Sequence, residues 1–205
     1  LVGLPIRPDY WDYQWKLSHK IDERNSLTFI GLGSIDDFSV VAPDDFDVEQ
    51  QAALETAPII EQRTITLGLT WKHKFKDGTG QVNTTLSTNR LKNIFSQYQD
   101  NENKTGVLFR NDSKEQETKL RVHATQYIKD WKISYGLNVQ QSVYTNNTDD
   151  IVGGLGYETA IDFAKYGFFG KLSRSFVDNR LSLALGLRSD ADSFTNGSTL
   201  IDNLS

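Results

Sequence analysis

Between Arg63 and Arg90, Ile65, Leu67, Leu69, Trp71 and His73 alternate with Thr66, Gly68, Thr70, Lys72 and Lys74. This is the period of two of a strand with one apolar and one polar face. Lys76-Asp77-Gly78-Thr79 follows, and Asp-Gly supplies the positive φ that a tight hairpin turn needs. On the far side Val82, Thr84, Leu86 and Thr88 alternate with Gln81, Asn83, Thr85, Ser87 and Asn89. Each arm runs to about ten residues, where globular strands cluster near five or six. Ten is the length a tilted strand needs to cross a bilayer.

The same unit recurs along the chain. Tyr13, Trp15 and Leu17 alternate with Gln14, Lys16 and Ser18, and after the polar reversal at 21–25 the return strand is SLTFIGLGS, 26–34. Gly31 and Gly33 leave open whether Leu27 and Phe29 or Ile30 and Leu32 share the apolar face. Leu120, Val122, Ala124 and Ile128 oppose Lys119, Arg121, His123, Thr125 and Tyr127. Beyond Lys129-Asp130, Trp131, Ile133, Tyr135, Leu137 and Val139 oppose Lys132, Ser134, Gly136, Asn138 and Gln140. A strand over 161–173 and a last one with Leu181, Leu183, Leu185 and Leu187 on one face complete about eight strands in four hairpins. The stretches 35–62, 91–116, 145–159 and 190–205 read as long polar loops, with a short helix favoured over 47–56. Short and long connections alternate strictly. The pattern predicts an all-β fold, an antiparallel transmembrane β-barrel segment with short periplasmic turns and long extracellular loops.

Cost decides which face would meet lipid. A Lys or Arg pointing at hydrocarbon in mid-membrane costs about 2–4 kcal/mol. Lys16, Lys72, Lys74, Lys119, Arg121, Lys132 and Arg188 are therefore expected in the lumen, and Trp71, Trp131, Leu183, Leu185 and Leu187 against lipid. Trp71 and Trp131 also lie near short turns, where an aromatic girdle belongs.

Composition agrees. Hydrophobic residues make up 38% of 205 and mean hydropathy is −0.48; no apolar run is long enough for a transmembrane helix, and barrel strands are half polar by construction. A net charge of −5 with no basic stripe argues against a nucleic-acid partner. The absence of cysteine excludes disulfides and thiolate metal sites. With no leader at Leu1 and a loop-like tract before Ser205, the chain is expected to be an internal piece of a longer polypeptide.

Candidate chemistry is sparse. His19, His73 and His123 fall on separate strands and are expected to be ordinary strand residues, so no metal site is expected. Asp36-Asp37, Asp44-Asp45-Asp47 and Asp149-Asp150 lack the spacing and glycine of a calcium loop and read as solvated charge. Gly153-Gly154-Leu155-Gly156 has no strand-to-helix context for cradling phosphate. No serine has the setting of a nucleophile, so neither an enzyme nor a cofactor is expected. Phe38, Phe46, Phe95, Tyr98 and Phe109, in the long connections, are the candidates for contacting a small ligand.

YWDYQ at 10–14, KIDERNSLTFIGLGSIDDF at 20–38, PIIEQ at 58–62 with TLGLTWKHKF at 66–75, and YGFFGKLSRSF with NRLSLALGLRSDADSF at 166–194 resemble the barrel domain of TonB-dependent outer-membrane receptors of the Bacteroidetes type. The likeness runs over most of the chain, in motifs that encode strand and turn. It implies a barrel of about 22 strands closed by a plug, of which residues 1–205 would supply about eight strands and neither plug nor TonB box. The implied setting is the outer membrane of a Gram-negative bacterium. The implied partners are membrane lipid, the protein's own plug, TonB and a scarce nutrient such as a ferric siderophore, cobalamin or an oligosaccharide. Two alternatives stand beside it. A complete eight-stranded barrel with a structural or adhesion role requires Tyr13–Leu17 to pair with Leu181–Leu187. A soluble β-sandwich binding module predicts a fragment that stays monodisperse without detergent, where exposed apolar stripes of this length would aggregate.

Overall fold

Polar reversals set the hairpins. At the first, the Asp22 carboxylate accepts the backbone N–H of Arg24 at 2.7 Å and of Asn25 at 2.8 Å, and the Asn25 amide at 2.7 Å. At the second, Asp77 and Gly78 take φ of 58° and 68°, as the Asp-Gly signal predicts. Lys129 turns the third at φ 52°, and Val177 and Asp178 the fourth at 53° and 49°.

The computed structural model describes residues 6–40, 57–101, 103–178, 180–194 and 198–203. Its strands are β1 (Ile6–Lys20), β2 (Asn25–Val40), β3 (Ile59–Lys74), β4 (Gly80–Asp100), β5 (Thr105–Ile128), β6 (Trp131–Asp150), β7 (Leu155–Phe176), β8 (Leu181–Asp192) and β9 (Ser198–Asn203). A 3-10 turn, Lys76–Gly78, links β3 to β4. The order is β1-β2-β3-β4-β5-β6-β7-β8, every neighbour antiparallel, so the four expected hairpins form one all-β sheet.

The strands overrun the expected ten residues. β4, β5, β6 and β7 hold 21, 24, 20 and 22, and at about 3.3 Å per residue β5 alone spans about 80 Å. The expected loop 91–116 is mostly ladder, continuous from Leu91↔Glu115 to Asp100↔Thr105 with one bulge at Gln97/Tyr98. The loop expected at 145–159 shrinks to Ile151–Gly154, where Gly153 donates its N–H to Asp150 Oδ1 at 2.8 Å. In the loop expected at 190–205, β9 continues the line of β8 along β7: Lys165 pairs with Asp192 and Ala160 with Ser198. Of the stretch 35–62, the two ends extend β2 and β3, and the helix expected over 47–56 lies outside the described residues. The physical reason is shared: Ser, Thr, Asn, Asp and Gln alternate as well as any residues do, but with both faces wet no apolar stripe announces the strand.

The pairing supports neither alternative. Among the described residues β1 pairs with β2 alone and β8 with β7 alone, so the two strands that an eight-stranded closure would join are the ends of the ladder. Among the described residues no second sheet lies over the apolar side; Leu183, Leu185 and Leu187 are 57%, 72% and 78% exposed.

The open question at the first hairpin is settled by packing. Residues opposite one another share a face, and Trp15 lies opposite Gly31, Leu17 opposite Phe29 and Leu27 opposite Trp71. Leu27 and Phe29 thus join the tryptophan side, while Ile30 and Leu32 lie on the lysine side. Gly31 is where the Trp15 indole lies down, its Cζ2 2.5 Å from the place a Cβ would take, and the Trp15 and Phe29 rings meet edge-on at 4.4 Å. Gly33 receives the Tyr13 ring in the same way.

Gly31→Val is expected to destabilise the protein by about 1–3 kcal/mol, read by denaturant titration, with Trp15→Ala in the same background recovering part of the loss. The bonds from Asn25 and from the backbone of Arg24 and Asn25 hold the Asp22 carboxyl below the usual aspartate value. Its contribution to the first turn is therefore complete at neutral pH and lost as pH falls through that depressed value. An NMR titration should place the Asp22 midpoint below that of an unstructured aspartate.

Candidate binding face

Stepping by two along each strand and across each pair of opposed residues assigns every strand position to one of two faces. Trp71, Trp131, Leu183, Leu185 and Leu187 share the first, through Leu27↔Trp71↔Thr84↔Val122↔Leu137↔Phe168 and Arg174↔Leu183. The row Leu17, Phe29, Leu69, Leu86, Leu120, Val139, Tyr166, Ala191 crosses all eight strands of that face without a polar residue. The other two tryptophans, Trp11 and Trp15, lie there too. Arg174, near the short turns, is one of the cations that sequence reading missed on this side. It sits 5.3 Å from the Trp131 ring and 5.0 Å from the Phe176 ring and bonds Asp130 at 2.8 Å, a tip reaching back toward the turn.

Lys16, Lys72, Lys74, Lys119, Arg121, Lys132 and Arg188 all share the opposite face. A groove of about 590 Å³ crosses β5 to β8 there, lined by Lys119, Arg121, His123, Lys165, Arg188 and Phe169 among others. Two of its cations are paired: Lys119 with Glu117 at 2.6 Å, and Arg188 with Asp190 through Nε at 2.5 Å and Nη2 at 2.9 Å. Lys165 stands 5.1 Å from the Phe163 ring. Gly136, opposite both His123 and Phe169, keeps the floor open; a Cβ there would lie 2.7 Å from the Phe169 ring, which meets the His123 ring edge-on at 5.5 Å.

Toward the far end of this face two of the five ligand candidates meet, and a third, Phe38, shares their row across Ile60. Phe38 is opposite Ile60, Ile60 opposite Phe95, and the Phe95 and Phe109 rings meet at 5.7 Å and 85°. Tyr98 lies beyond the bulge, opposite Val107, outside that group. Phe46 is outside the described residues. Beside the phenylalanines is a polar triangle that sequence reading missed. Asn111 donates to Asn146 Oδ1 at 2.7 Å and to Thr148 Oγ1 at 2.6 Å, and Asn146 donates to Thr148 Oγ1 at 2.9 Å. Thr148 is 1% exposed and Asn146 9%. The one visible signal was the pair Asn146-Asn147, which reads as a turn when its strand is taken to end sooner.

The histidines stay apart. His19 and His73 lie on the tryptophan side and His123 on the lysine side. His73 Nδ1 and Trp71 Nε1 both reach Asn25 Oδ1, at 2.7 and 3.2 Å. Among the described residues no three His, Asp or Glu side chains gather as metal ligands; Asp44, Asp45 and Asp47 lie outside them.

No family model and no curated protein sequence matches the chain. Among solved structures it is similar to the copper transporter OprC, with a TM-score of 0.68 and 15% identity over 97% of this chain. The match takes in 34% of that protein, so this chain spans about a third of its length. At that identity the likeness establishes the fold, an antiparallel sheet of the outer-membrane barrel type.

Asn111→Ala is expected to cost about 1–3 kcal/mol, because it strips partners from two buried polar groups. Asn83→Ala, on the same face away from the triangle, should stay within about 0.5 kcal/mol of wild type. Urea unfolding compares the two.

Proposed function

We propose that this chain is part of the wall of an outer-membrane TonB-dependent transporter that imports a scarce nutrient, a ferric siderophore, cobalamin or an oligosaccharide. The observation that carries the reading is the separation of faces across the middle of the sheet: the seven lysines and arginines expected in the lumen lie on one side and the unbroken apolar row on the other, whose own cations stand only toward the strand ends. Only lipid outside and a wet or plugged space inside suit both sides at once, since each charge turned to hydrocarbon would cost about 2–4 kcal/mol.

In this reading the apolar face lies against membrane lipid and the lysine face lines the lumen. There it meets ligand and the protein's own plug, which TonB moves. The overlong ends of β4 to β7 stand outside the membrane as a rim. Phe38, Phe95 and Phe109 offer that rim an apolar foothold for a ligand, steadied by the Asn111, Asn146 and Thr148 triangle. The neighbour's copper is not carried over. Copper is that protein's ligand, and at 15% identity the likeness carries the fold alone.

In bilayers with brominated acyl chains, tryptophan emission of the intact protein should be quenched, and Trp71→Phe with Trp131→Phe should remove part of the quenchable signal. Leu185→Arg should lower stability in lipid by about 2–4 kcal/mol, while Lys119→Ala leaves membrane assembly intact. Unquenched emission, or a Leu185→Arg variant that inserts like wild type, would end the membrane reading. Transport itself is tested by uptake of labelled ferric siderophore, cobalamin and oligosaccharide into cells with and without the gene. Uptake of one should depend on the gene and stop when an uncoupler collapses the inner-membrane proton gradient.

A further inference from the structure

On the tryptophan side, where the apolar residues give out toward the long ends of the strands, the ladder sets three cations in line. Arg63 on β3 lies opposite Lys92 on β4, and Lys92 opposite Lys114 on β5. Arg90 is on the same face one step nearer the apolar row, opposite Ile65. Like charges directly opposite one another repel, and strands are about 4.8 Å apart, so the line needs anions. Among the described residues one pairs with it: the Asp112 carboxylate stands 3.7 Å from Lys92 Nζ and 3.6 Å from Lys114 Nζ. Arg63 and Arg90 form no ion pair with a described residue, and both are exposed. Glu61 and Asp37 face each other one step further out, and Arg110 opposes Asp149. The same strands carry Ile65, Leu67 and Leu69, then Leu86, then Leu120 and Val122 below the line on this face.

A ligand that suits both parts has acyl chains beneath and phosphate above. We propose that Arg63, Arg90, Lys92 and Lys114 bind the phosphates of a lipid headgroup in the leaflet on the long-connection side. The lipid's chains lie on the leucines of β3, β4 and β5. The inference rests on the membrane reading of this face. The guanidiniums of Arg63 and Arg90 suit bidentate phosphate contact. The two lysines, sharing a single carboxylate, keep uncompensated charge for a second phosphate.

The test uses the intact protein in detergent, titrated with diphosphoryl lipid A, monophosphoryl lipid A and inorganic phosphate, with bound lipid counted by native mass spectrometry. The diphosphoryl form is expected to bind more tightly than the monophosphoryl form by about tenfold, the scale of one charge-assisted contact. The preference should vanish in Arg63→Gln/Lys92→Gln/Lys114→Gln and persist in Arg63→Lys/Lys92→Arg/Lys114→Arg. The second variant separates loss of charge from misfolding. Equal affinity for the two lipids, or a preference that survives the glutamine variant, would overturn the proposal. Inorganic phosphate that displaces the lipid at millimolar concentration would replace it with a free-anion site. Bromolipid quenching measured on the same preparation separates the two failures. Quenching without phosphate preference removes this inference alone, and absence of quenching removes the membrane reading beneath it.

Discussion

The hydrogen-bonded ladder from β1 to β8 is the constraint to which every other feature of this sheet answers. Each backbone amide must find a partner, and where water is excluded that partner can only be another strand. Once paired, the pleat leaves no freedom: consecutive side chains go to opposite faces, and a slip of one residue would send Trp71 among the lysines and Lys72 among the leucines. The reversals act on the same variable. Asp22 with its three bonds, and the left-handed pair Asp77 and Gly78, fix where each return strand begins and thereby its register. The aromatic rings then fill what the backbone leaves open, Trp15 over Gly31 and Tyr13 over Gly33.

How much could be read beforehand follows from contrast. Wherever one face is apolar and the other polar the strands were legible, down to the side on which Lys119, Arg121 and Lys132 emerge opposite Leu120, Val122 and Trp131. Past Leu86 and Leu120 both faces turn polar, and the same backbone continues as ladder through sequence such as QYQD, 97–100, which has no apolar stripe to mark it as strand. Pairing there is held by the strand already begun, a tertiary effect that local composition does not encode. Phe95 and Phe109 were found as residues but not as neighbours, because their meeting depends on the ladder running that far. Asn111 and Asn146 escaped for the same reason; 35 positions apart, they touch only across a register that had been taken to stop. Gly31 and Gly33 read as ambiguity where the structure uses them as seats for rings.

The two faces divide the chemistry between them. The lysine side carries the groove, the ion pairs of Glu117 and Asp190 and the phenylalanine group. The tryptophan side carries almost none, apart from Arg174 near the turns and the cationic line at the other border. Charge on that side is thus confined to the two margins of the apolar band, where a long side chain can reach water.

The length of β4 to β7 has a thermodynamic consequence. A mouth built of loose loops must surrender conformational freedom whenever it closes on a visitor, and that loss subtracts from affinity. In the proposed transporter, a mouth built of continuous ladder, cross-linked by Asn111, Asn146 and Thr148, has surrendered it already during folding. Under that proposal the collar is stiff, and selection at the entrance falls to the fixed spacing of its wall residues.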